Sequence, residues 1–344
     1  MKAKGRSMFY PNMNLLRYLL SLGILINHFN LLGGFSIPYF ISHDRIGGFF
    51  VLSGFLMFHS YTKLNNLPRF AIHRARRILP TYIFIVILCA IAGVFLTTLP
   101  ISRYIADPAL WKYLAANLTF MNWLAPDLPG LFTGPEFRES AVNGSLWTMK
   151  VEWILDLSVP LFVLIMNRTR WKREYMAAVI ILLSMAGHLY IDRLYEQTGN
   201  HIYEILGRQF ITQMGFFYCG MLVYFLREKA ERHLGAVISI GAILYIIGPF
   251  IPYGNVFIAP PAVALLFLGV SMIGRTINAF IHTNCISYNI FLVHWPVIQV
   301  CVGCGLTRYP VWISLGIILL TTTLLALFTN RFIDQPFSLR KTKS

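Results

Sequence analysis

Charged residues are scarce in this chain. They make up 12% of its 344 residues, and only 14 are acidic. A soluble domain of ordinary composition carries roughly 25% charged residues. Hydrophobic residues reach 56%, and apolar runs of about 18 or more residues, the length needed to cross a bilayer, recur along the chain. This composition excludes a soluble globular fold and predicts an all-α, polytopic transmembrane helical bundle.

Cysteine is also sparse, and its pattern excludes a disulfide framework. The five cysteines are Cys89, Cys219, Cys285, Cys301 and Cys304. Their number is odd and all lie in or beside apolar segments, so we expect free thiols. Cys301 and Cys304 have the Cys-x-x-Cys spacing of a redox or metal pair. At helical spacing in a membrane segment, we interpret them as small buried side chains and expect no metal.

Internal repeats, low-complexity segments and a separate soluble region are absent from the sequence. We therefore predict a single membrane-embedded domain over residues 1–344, with no appended soluble domain. A basic start (Lys2, Lys4 and Arg6) precedes the first apolar run and could imitate a signal peptide. That run contains two ionisable residues and lacks a small-x-small cleavage site, so we expect an uncleaved first span.

The positive charge predicts the topology. The net charge of +15 reflects 29 lysines and arginines, which cluster in short segments between the apolar runs. This clustering follows the positive-inside rule and argues against nucleic-acid binding. About ten spans, with both termini in the cytoplasm, place about twenty basic residues on one side. The predicted spans are roughly 13–33, 46–62, 79–99, 145–166, 175–191, 209–226, 234–251, 256–273, 285–304 and 310–329.

Four segments between the predicted spans are distinctive. The segments at 38–44 and 192–208 are expected to be outer loops, and the segment at 63–77 a basic cytoplasmic connection. The longest outer segment, 100–144, contains an amphipathic piece near 110–123. We expect that piece to lie on the membrane surface or to re-enter it.

Two ionisable residues lie within the first predicted span. Arg17 and His28 are eleven residues apart, which at 100° per residue places them on nearly the same helix face, about 16 Å apart along the axis. Ionisable residues inside membrane segments mark functional pathways. A neutral imidazole there can act as a general base, since its pKa lies near the working pH. The alternative is a histidine bonded to a backbone carbonyl and an arginine that snorkels to lipid phosphate.

Three arginines stand together before the third predicted span. Arg74, Arg76 and Arg77 form a cluster in which planar guanidinium groups could bind the phosphates of a polyphosphate ligand bidentately. The alternative, and by itself the commoner meaning of such a cluster, is an ordinary positive-inside anchor.

Two further segments carry ionisable residues into predicted spans. Glu152 and Asp156 are four residues apart, hence on one helix face, where carboxylates can shift each other's pKa or pair with an arginine. Structural ion pairing within the bundle is the alternative. His294 lies within the ninth predicted span, just before Trp295 and Pro296, and that proline can free a backbone carbonyl and bend the helix toward a cavity.

The order of these motifs resembles the acyltransferase-3 family of integral membrane O-acyltransferases, across nearly the whole chain. Five segments match its patterns: Arg17-x10-His28, GGFFVLSGFLM (47–57), Arg74-x-x-Arg77 followed by Ile-Leu-Pro, SLWTMKVE (145–152) and ISYNIFLVHWPV (286–297). The segment NRFIDQPF (330–337) resembles the family's short closing motif. One departure is Gly47, where the family often has an acidic residue.

The resemblance implies an enzyme that takes an acyl group, usually acetyl, from cytoplasmic coenzyme A thioester. The acceptor would be a hydroxyl of a cell-surface or lipid-linked saccharide at the outer face of a bacterial cytoplasmic membrane. Acetyl-CoA would be a co-substrate, with no permanently bound cofactor, and polysaccharide-synthesis enzymes would be partners.

The resemblance also implies roles for named residues. His28 would be the general base or carry the acyl group, Arg17 would orient the thioester, and Glu152 or His294 would orient His28 or relay a proton. The other implied roles are phosphate binding by Arg74, Arg76 and Arg77, and a substrate chamber lined by Ser53, Trp147, Asp156, Tyr288 and His294.

A second class of function shares the same intramembrane residues. A transporter or flippase for a lipid-linked sugar or small acid would also line its pathway with Arg, His and Glu. The sequence lacks the pair of matching broken helices that is typical of such proteins. A purely structural membrane partner would leave the intramembrane ionisable residues without a role.

Overall fold

The computed structural model describes residues 10, 12–38, 45–274 and 285–337, and within these ranges the chain is helical with no β-strand. The predicted all-α class is therefore confirmed. The basic start at residues 2–6, and residues 39–44 of the predicted outer loop, lie outside the described residues. The α-helices are α1 (Met13–Gly33), α2 (Arg45–Leu64), α3 (Leu67–Leu96), α4 (Ile101–Ala106), α5 (Pro108–Leu118), α6 (Trp147–Arg168), α7 (Arg173–Thr198), α8 (His201–Gly207), α9 (Phe210–Phe225), α10 (Arg227–Arg232), α11 (Leu234–Ile247), α12 (Gly254–Phe257), α13 (Ala259–Ser271), α14 (Ser287–Gly303), α15 (Val311–Thr329) and α16 (Gln335–Phe337).

Four stretches of helix among the described residues are long and apolar enough to cross a membrane. They are Met13–Gly33, Leu67–Leu96, Arg173–Thr198 and Val311–Phe337. The last of them joins α15 to α16 through a π-helical turn, Asn330–Asp334. Shorter apolar helical stretches are Leu234–Phe250 and Ala259–Ser271. These lengths and compositions are those of a membrane protein.

The third predicted span begins earlier than expected. α3 starts at Leu67 rather than near residue 79, so the connection predicted at 63–77 is largely helical. The side chain of Asn66 caps the helix by accepting a hydrogen bond from the backbone N–H of Arg69 at 2.9 Å. Pro68 fits the first turn, where no backbone donor is required. The arginine cluster therefore stands on a helix.

The prediction of a polar loop at 192–208 is wrong, because polar residues continue the helix beyond the apolar run. α7 runs to Thr198, and Gly199 ends it in the left-handed conformation, with φ of 62°. α8 follows at once, capped by the Asn200 side chain, which accepts from the backbone N–H of Ile202 at 3.0 Å. A hydropathy pattern marks where a helix leaves the apolar region, not where it ends.

Cys89, Cys219, Cys301 and Cys304 are free thiols, as predicted. Cys89 and Cys219 are buried, and Cys301 is half-buried. The expectation that Cys304 is also buried is wrong, because α14 ends at Gly303 and leaves Cys304 exposed in the turn that follows.

The described residues form two compact units along a chain that passes between them several times. Unit 1 contains residues 10, 12–20, 45–65, 154–274 and 285, and unit 2 contains residues 21–38, 66–153 and 286–337.

Helices α2 and α9 of unit 1 pack backbone against backbone at two glycines. A Cβ atom on Gly54 would lie 1.9 Å from the carbonyl oxygen of Phe217, and one on Gly220 would lie 2.0 Å from that of Val51. Small residues allow this close approach in membrane helices, where van der Waals packing replaces the hydrophobic effect as the source of association. Gly47, the departure from the family pattern, lies on the same helix against the Phe216 ring.

Gly54→Ala is expected to lower the thermal stability of the protein, because the backbone of α9 cannot move aside as a flexible side chain could. Overpacking of this kind costs about 1–3 kcal/mol or more. The measurement is the melting temperature in detergent, followed by circular dichroism. Gly316→Ala is the matched control, since nothing lies within 4 Å of its Cβ position in α15. A melting temperature for Gly54→Ala equal to that of the control would contradict the packing.

Unit 2 is built around the second half of α1, α14 and α15. Its core is a cluster of buried apolar side chains: Leu25, Phe29, Leu32, Ile37, Trp295, Ile298, Val302, Leu306, Leu315 and Ile318. The amphipathic piece expected at 110–123 is largely helix α5. It is joined to α3 by the Tyr82 hydroxyl, which donates to the carbonyl of Asn117 at 2.6 Å. The core cluster holds α14, which carries His294, against α1 and α15.

Candidate active site

Two helices that carry predicted site residues contribute to both units. In α1, Arg17 belongs to unit 1 and His28 to unit 2. In α6, Glu152 belongs to unit 2 and Asp156 to unit 1. The contacts of these residues are therefore described unit by unit, beginning with unit 2.

His28 and His294 are hydrogen-bonded in unit 2. Nδ1 of His28 lies 2.7 Å from Nε2 of His294, and the two ring planes are inclined by 6°. His28 also meets Trp295 edge to face, with ring centroids 4.7 Å apart. The exposed fraction of His294 is 0%, whereas His28 is half-buried. A partly accessible imidazole is thus held by a buried one.

The contacts of His294 assign the protons of this pair. Its Nδ1 lies 3.1 Å from the carbonyl oxygen of Ile290, which can only accept a hydrogen bond. A neutral imidazole has one donor and one acceptor nitrogen, so Nδ1 of His294 carries the proton and Nε2 accepts. Nδ1 of His28 then donates to His294. The unprotonated nitrogen of a neutral His28 is therefore Nε2, which can take a proton from a hydroxyl.

Pro296 frees a backbone carbonyl in α14, as the sequence predicts, and Asn143 satisfies it. Because proline has no N–H, the carbonyl of Leu292, four residues earlier, loses its helical donor. The side-chain amide of Asn143 donates to that carbonyl at 2.8 Å. Sequence reasoning assigned Asn143 no role, although a proline within a membrane helix signals that a donor is needed from elsewhere.

The segment before α6 is tied to the histidine-bearing helix by further hydrogen bonds. The indole N–H of Trp295 donates to the carbonyl of Ala141 at 2.9 Å. The amide of Gln299 donates to the carbonyls of Glu139 at 2.7 Å and Ala141 at 3.0 Å. A Cβ atom on Gly144 would lie 2.5 Å from the Trp295 ring. Residues 139–144 therefore fix the aromatic side chain on which His28 rests.

Arg74 and Glu152 form an ion pair in unit 2. Nη2 of Arg74 donates to Oε1 of Glu152 at 2.7 Å, and their side chains are 9% and 24% exposed. The pairing of a carboxylate with an arginine was one of the alternatives that the sequence left open for Glu152. His294 is the candidate that contacts His28, while Glu152 contacts Arg74 instead.

The other arginines of the cluster are exposed. Arg76 and Arg77 both lie on the accessible side of α3, and the guanidinium of Arg77 is 5.4 Å from the ring centroid of Tyr288. The Tyr288 hydroxyl donates to the carbonyl of Ile78 at 2.8 Å. Trp147 begins α6 and is half-buried. Of the predicted phosphate ligands, Arg76 and Arg77 are thus the more accessible.

A buried polar network joins the arginine helix α3 to α14 and to the closing motif. Asn289, next to Tyr288, donates to the Asp334 carboxylate at 2.8 Å and to the Thr329 hydroxyl at 3.2 Å. The Thr81 hydroxyl donates to the same carboxylate. Asp334 belongs to the closing motif, to which sequence reasoning assigned no role. The signal available was an acidic residue that follows an apolar helix, which requires partners when buried.

Unit 1 contains the remaining predicted site residues. Nη1 of Arg17, which is half-buried, makes a long contact of 3.5 Å with Oδ1 of Asn14. The Ser53 hydroxyl donates to the Asp156 carboxylate at 3.4 Å. Asp156 is 0% exposed. The serine of α2 and one of the two predicted carboxylates therefore meet within unit 1.

The described residues contain no group of three or more histidine, cysteine, aspartate or glutamate side chains placed to hold a metal ion. Unit 2 thus contains a hydrogen-bonded histidine pair, on α1 and α14, and accessible arginines on α3.

Comparison with known proteins defines the class of this chain. Residues 10–331 match the family described as an acyltransferase domain, Acyl_transf_3. The chain therefore belongs to the acyltransferase-3 family, as its motifs predict. An O-acetyl transferase of Shigella phage Sf6 is 25% identical over 143 residues, which are 40% of this chain and 41% of that relative. The alignment thus covers less than half of either protein. No solved structure matches the chain.

Proposed function

We propose that this protein transfers an acetyl group, or another short acyl group, from cytoplasmic acyl-CoA to a hydroxyl of a cell-surface or lipid-linked saccharide. Family membership and the phage relative support O-acyl transfer as the reaction. The observation that carries the proposal is the His28–His294 hydrogen bond, because it leaves Nε2 of His28 as the basic nitrogen.

The proposed reaction follows from that proton assignment. Nε2 of His28 takes the proton of the acceptor hydroxyl while the oxygen attacks the thioester carbonyl carbon. The tetrahedral intermediate collapses, the carbon–sulfur bond breaks, and an ester remains on the saccharide. The proton on His28 then passes to the departing thiolate, which leaves as the free thiol of coenzyme A. His294 holds His28 in the required tautomer, as the third member of a catalytic triad does for its histidine.

The donor side of the proposal rests on α3. Arg76 and Arg77 would bind the phosphates of coenzyme A, because guanidinium groups bind phosphate oxygens bidentately. Arg74 would act through its ion pair with Glu152, which holds the helix that carries the other two. Arg17 would orient the thioester, and Ser53, Trp147, Asp156 and Tyr288 would line the substrate chamber.

The finer architecture is part of the same proposal. We infer about ten spans, both termini in the cytoplasm, and one membrane-embedded domain over residues 1–344. The expected location is the bacterial cytoplasmic membrane, where enzymes of polysaccharide synthesis would be partners. Most of the 29 basic residues lie in segments between apolar runs, and this topology places about twenty of them on one side, which supports the orientation.

The test is consumption of acetyl-CoA by the purified protein in lipid nanodiscs. Release of the coenzyme A thiol, and appearance of labelled acetyl ester on an added lipid-linked saccharide, are expected. Mass analysis of surface glycans from cells with and without the gene then identifies the acceptor. A protein that moves a saccharide across liposomes while leaving acetyl-CoA unbound and intact would instead be the transporter of the alternative reading.

His294→Phe is expected to lower kcat by roughly 10²-fold or more, because His28 loses the acceptor that fixes its tautomer. His294→Gln retains an amide that can accept from Nδ1 of His28, so it should keep more activity and a pH–rate profile closer to that of the wild type. A purely structural role would lower the amount of folded enzyme without changing that profile. Equal loss in both variants, with unchanged pH dependence, would contradict the positioning role.

A further inference from the structure

A cationic cavity lies in unit 1 and has no part in the proposed reaction. We call this cavity, whose volume is about 810 Å³, the cationic pocket. The basic side chains that line it are Lys172, Arg173, Arg227, Lys229 and Arg232. Two acidic side chains, Glu174 and Glu228, line the same cavity. A concave surface where five cations face two anions concentrates anionic ligands.

Two arginines of the cationic pocket are held in place by aromatic rings. The guanidinium of Arg173 lies 4.9 Å from the ring centroid of Phe225, and that of Arg227 lies 4.8 Å from that of Tyr224. Arg173 donates through Nε to Glu174 at 3.0 Å, and Arg227 through Nη1 to the carbonyl of Tyr224 at 3.4 Å. A guanidinium has five N–H donors, so further donors are present in each for an oxyanion.

The cavity also has an apolar wall. Phe58, Met166 and Phe225 line it together with the cations. Tyr175, which also lines the cavity, is 62% exposed, and the neighbouring Trp171 is 61% exposed; these residue types are enriched at the membrane–water interface. The pocket lies at the start of α7, which begins at Arg173 and is long and apolar enough to span a membrane. Its cations would therefore lie at the level of lipid headgroups.

We propose that the cationic pocket binds the phosphate headgroup of an anionic phospholipid. Arg173 and Arg227 would bind the phosphate oxygens, the lysines would add long-range attraction, and an acyl chain would lie along the apolar wall. Basic pockets between membrane helices recognise anionic headgroups by this combination of charge and apolar contact. The proposal rests on the membrane location of the protein and is independent of acyl transfer.

The test measures binding of phosphatidylglycerol to the full-length protein in detergent, with phosphatidylcholine as the neutral lipid, by native mass spectrometry. The double variant Arg173→Gln/Arg227→Gln should lose about 10- to 30-fold in affinity for phosphatidylglycerol, at about tenfold for each 1.4 kcal/mol. Arg168→Gln/Arg170→Gln is the matched control, because these two exposed arginines lie in the same basic stretch outside the pocket. Its affinity should be unchanged.

Two further arms decide between outcomes. Lys172→Gln/Lys229→Gln changes exposed pocket residues and leaves the Arg173–Phe225 and Arg227–Tyr224 contacts in place, removing only the 5.9 Å contact of Lys172 with the Tyr175 ring. It therefore tests the pocket even if the arginine variant fails to fold. Binding of coenzyme A is measured in parallel and should be unaffected by the pocket variants. Equal lipid loss in the control, no loss in either pocket variant, or loss of coenzyme A binding with lipid binding intact would each overturn the proposal.

Discussion

Replacing His28 with alanine is expected to abolish acyl transfer, with kcat lower by roughly 10²–10⁴-fold, the usual contribution of a general base. The loss follows from removal of Nε2, the nitrogen left unprotonated when Nδ1 donates to His294. The measurement is release of the coenzyme A thiol from acetyl-CoA in the presence of the saccharide acceptor. The protein is expected to remain folded in membranes, which size-exclusion chromatography and thermal unfolding in detergent would establish.

A second variant at the same position separates chemistry from packing. Alanine leaves Nε2 of the buried His294 without its donor, and an unsatisfied buried polar group costs about 1–3 kcal/mol. His28→Asn can still donate an N–H to His294 but has no basic nitrogen. It should therefore be as stable as the wild type and as inactive as His28→Ala. His201→Ala, which removes a histidine whose side chain is 84% exposed, serves as the control for activity. An active His28→Asn variant would rule out the base assignment.

Removing either member of the Arg74–Glu152 pair is expected to destabilise the protein. Loss of one partner from a fully buried ion pair costs about 3–5 kcal/mol because the other charge stays buried, and the cost here should be smaller, since the Glu152 side chain is 24% exposed. Arg74→Ala and Glu152→Ala should each lower the melting temperature, and the double variant should recover part of that loss. Simple addition of the two effects in the double variant would show that the pair is not coupled.

Arg77→Ala is expected to weaken binding of the donor substrate and to leave the stability of the protein unchanged. Its side chain is exposed, so truncation leaves no buried charge, and loss of one phosphate contact should raise KM for acyl-CoA about tenfold, or about 1.4 kcal/mol. Arg69→Ala, an exposed arginine near the start of the same helix, is the matched control and should leave KM unchanged. If Arg77→Ala melts earlier with KM intact, the arginine is an anchor and not a phosphate ligand.

Local patterns in the sequence predicted the features that depend on near neighbours. Long uncharged runs predicted the membrane class and, with the basic segments between them, elements such as α1 and α15 within a few residues. Errors fell where polar residues continue a helix, as at the start of α3 and the end of α7. Hydropathy reports the surroundings of a residue, whereas capping by Asn66 or the left-handed Gly199 decides where the helix stops.

The sequence could not show which candidate residue forms a hydrogen bond with which partner. Both Glu152 and His294 were candidates to orient His28, and the two are equivalent as residues that can accept a hydrogen bond. The contact of His294 with His28, and of Glu152 with Arg74, joins residues 266 and 78 positions apart. Asn143, which completes the hydrogen bonding around Pro296, was passed over because its partner lies 149 residues away.

The sequence by itself determined the membrane class, the approximate positions of the long apolar helices and the motifs of the family, because hydrophobic length and motif order can be read from the order of residues alone. The tertiary structure decided which ionisable side chains meet, and through the Ile290 carbonyl it decided which nitrogen of His28 is basic. A hydrogen bond depends on distances of about 3 Å between side chains that are remote along the chain, and only the packing of helices sets those distances.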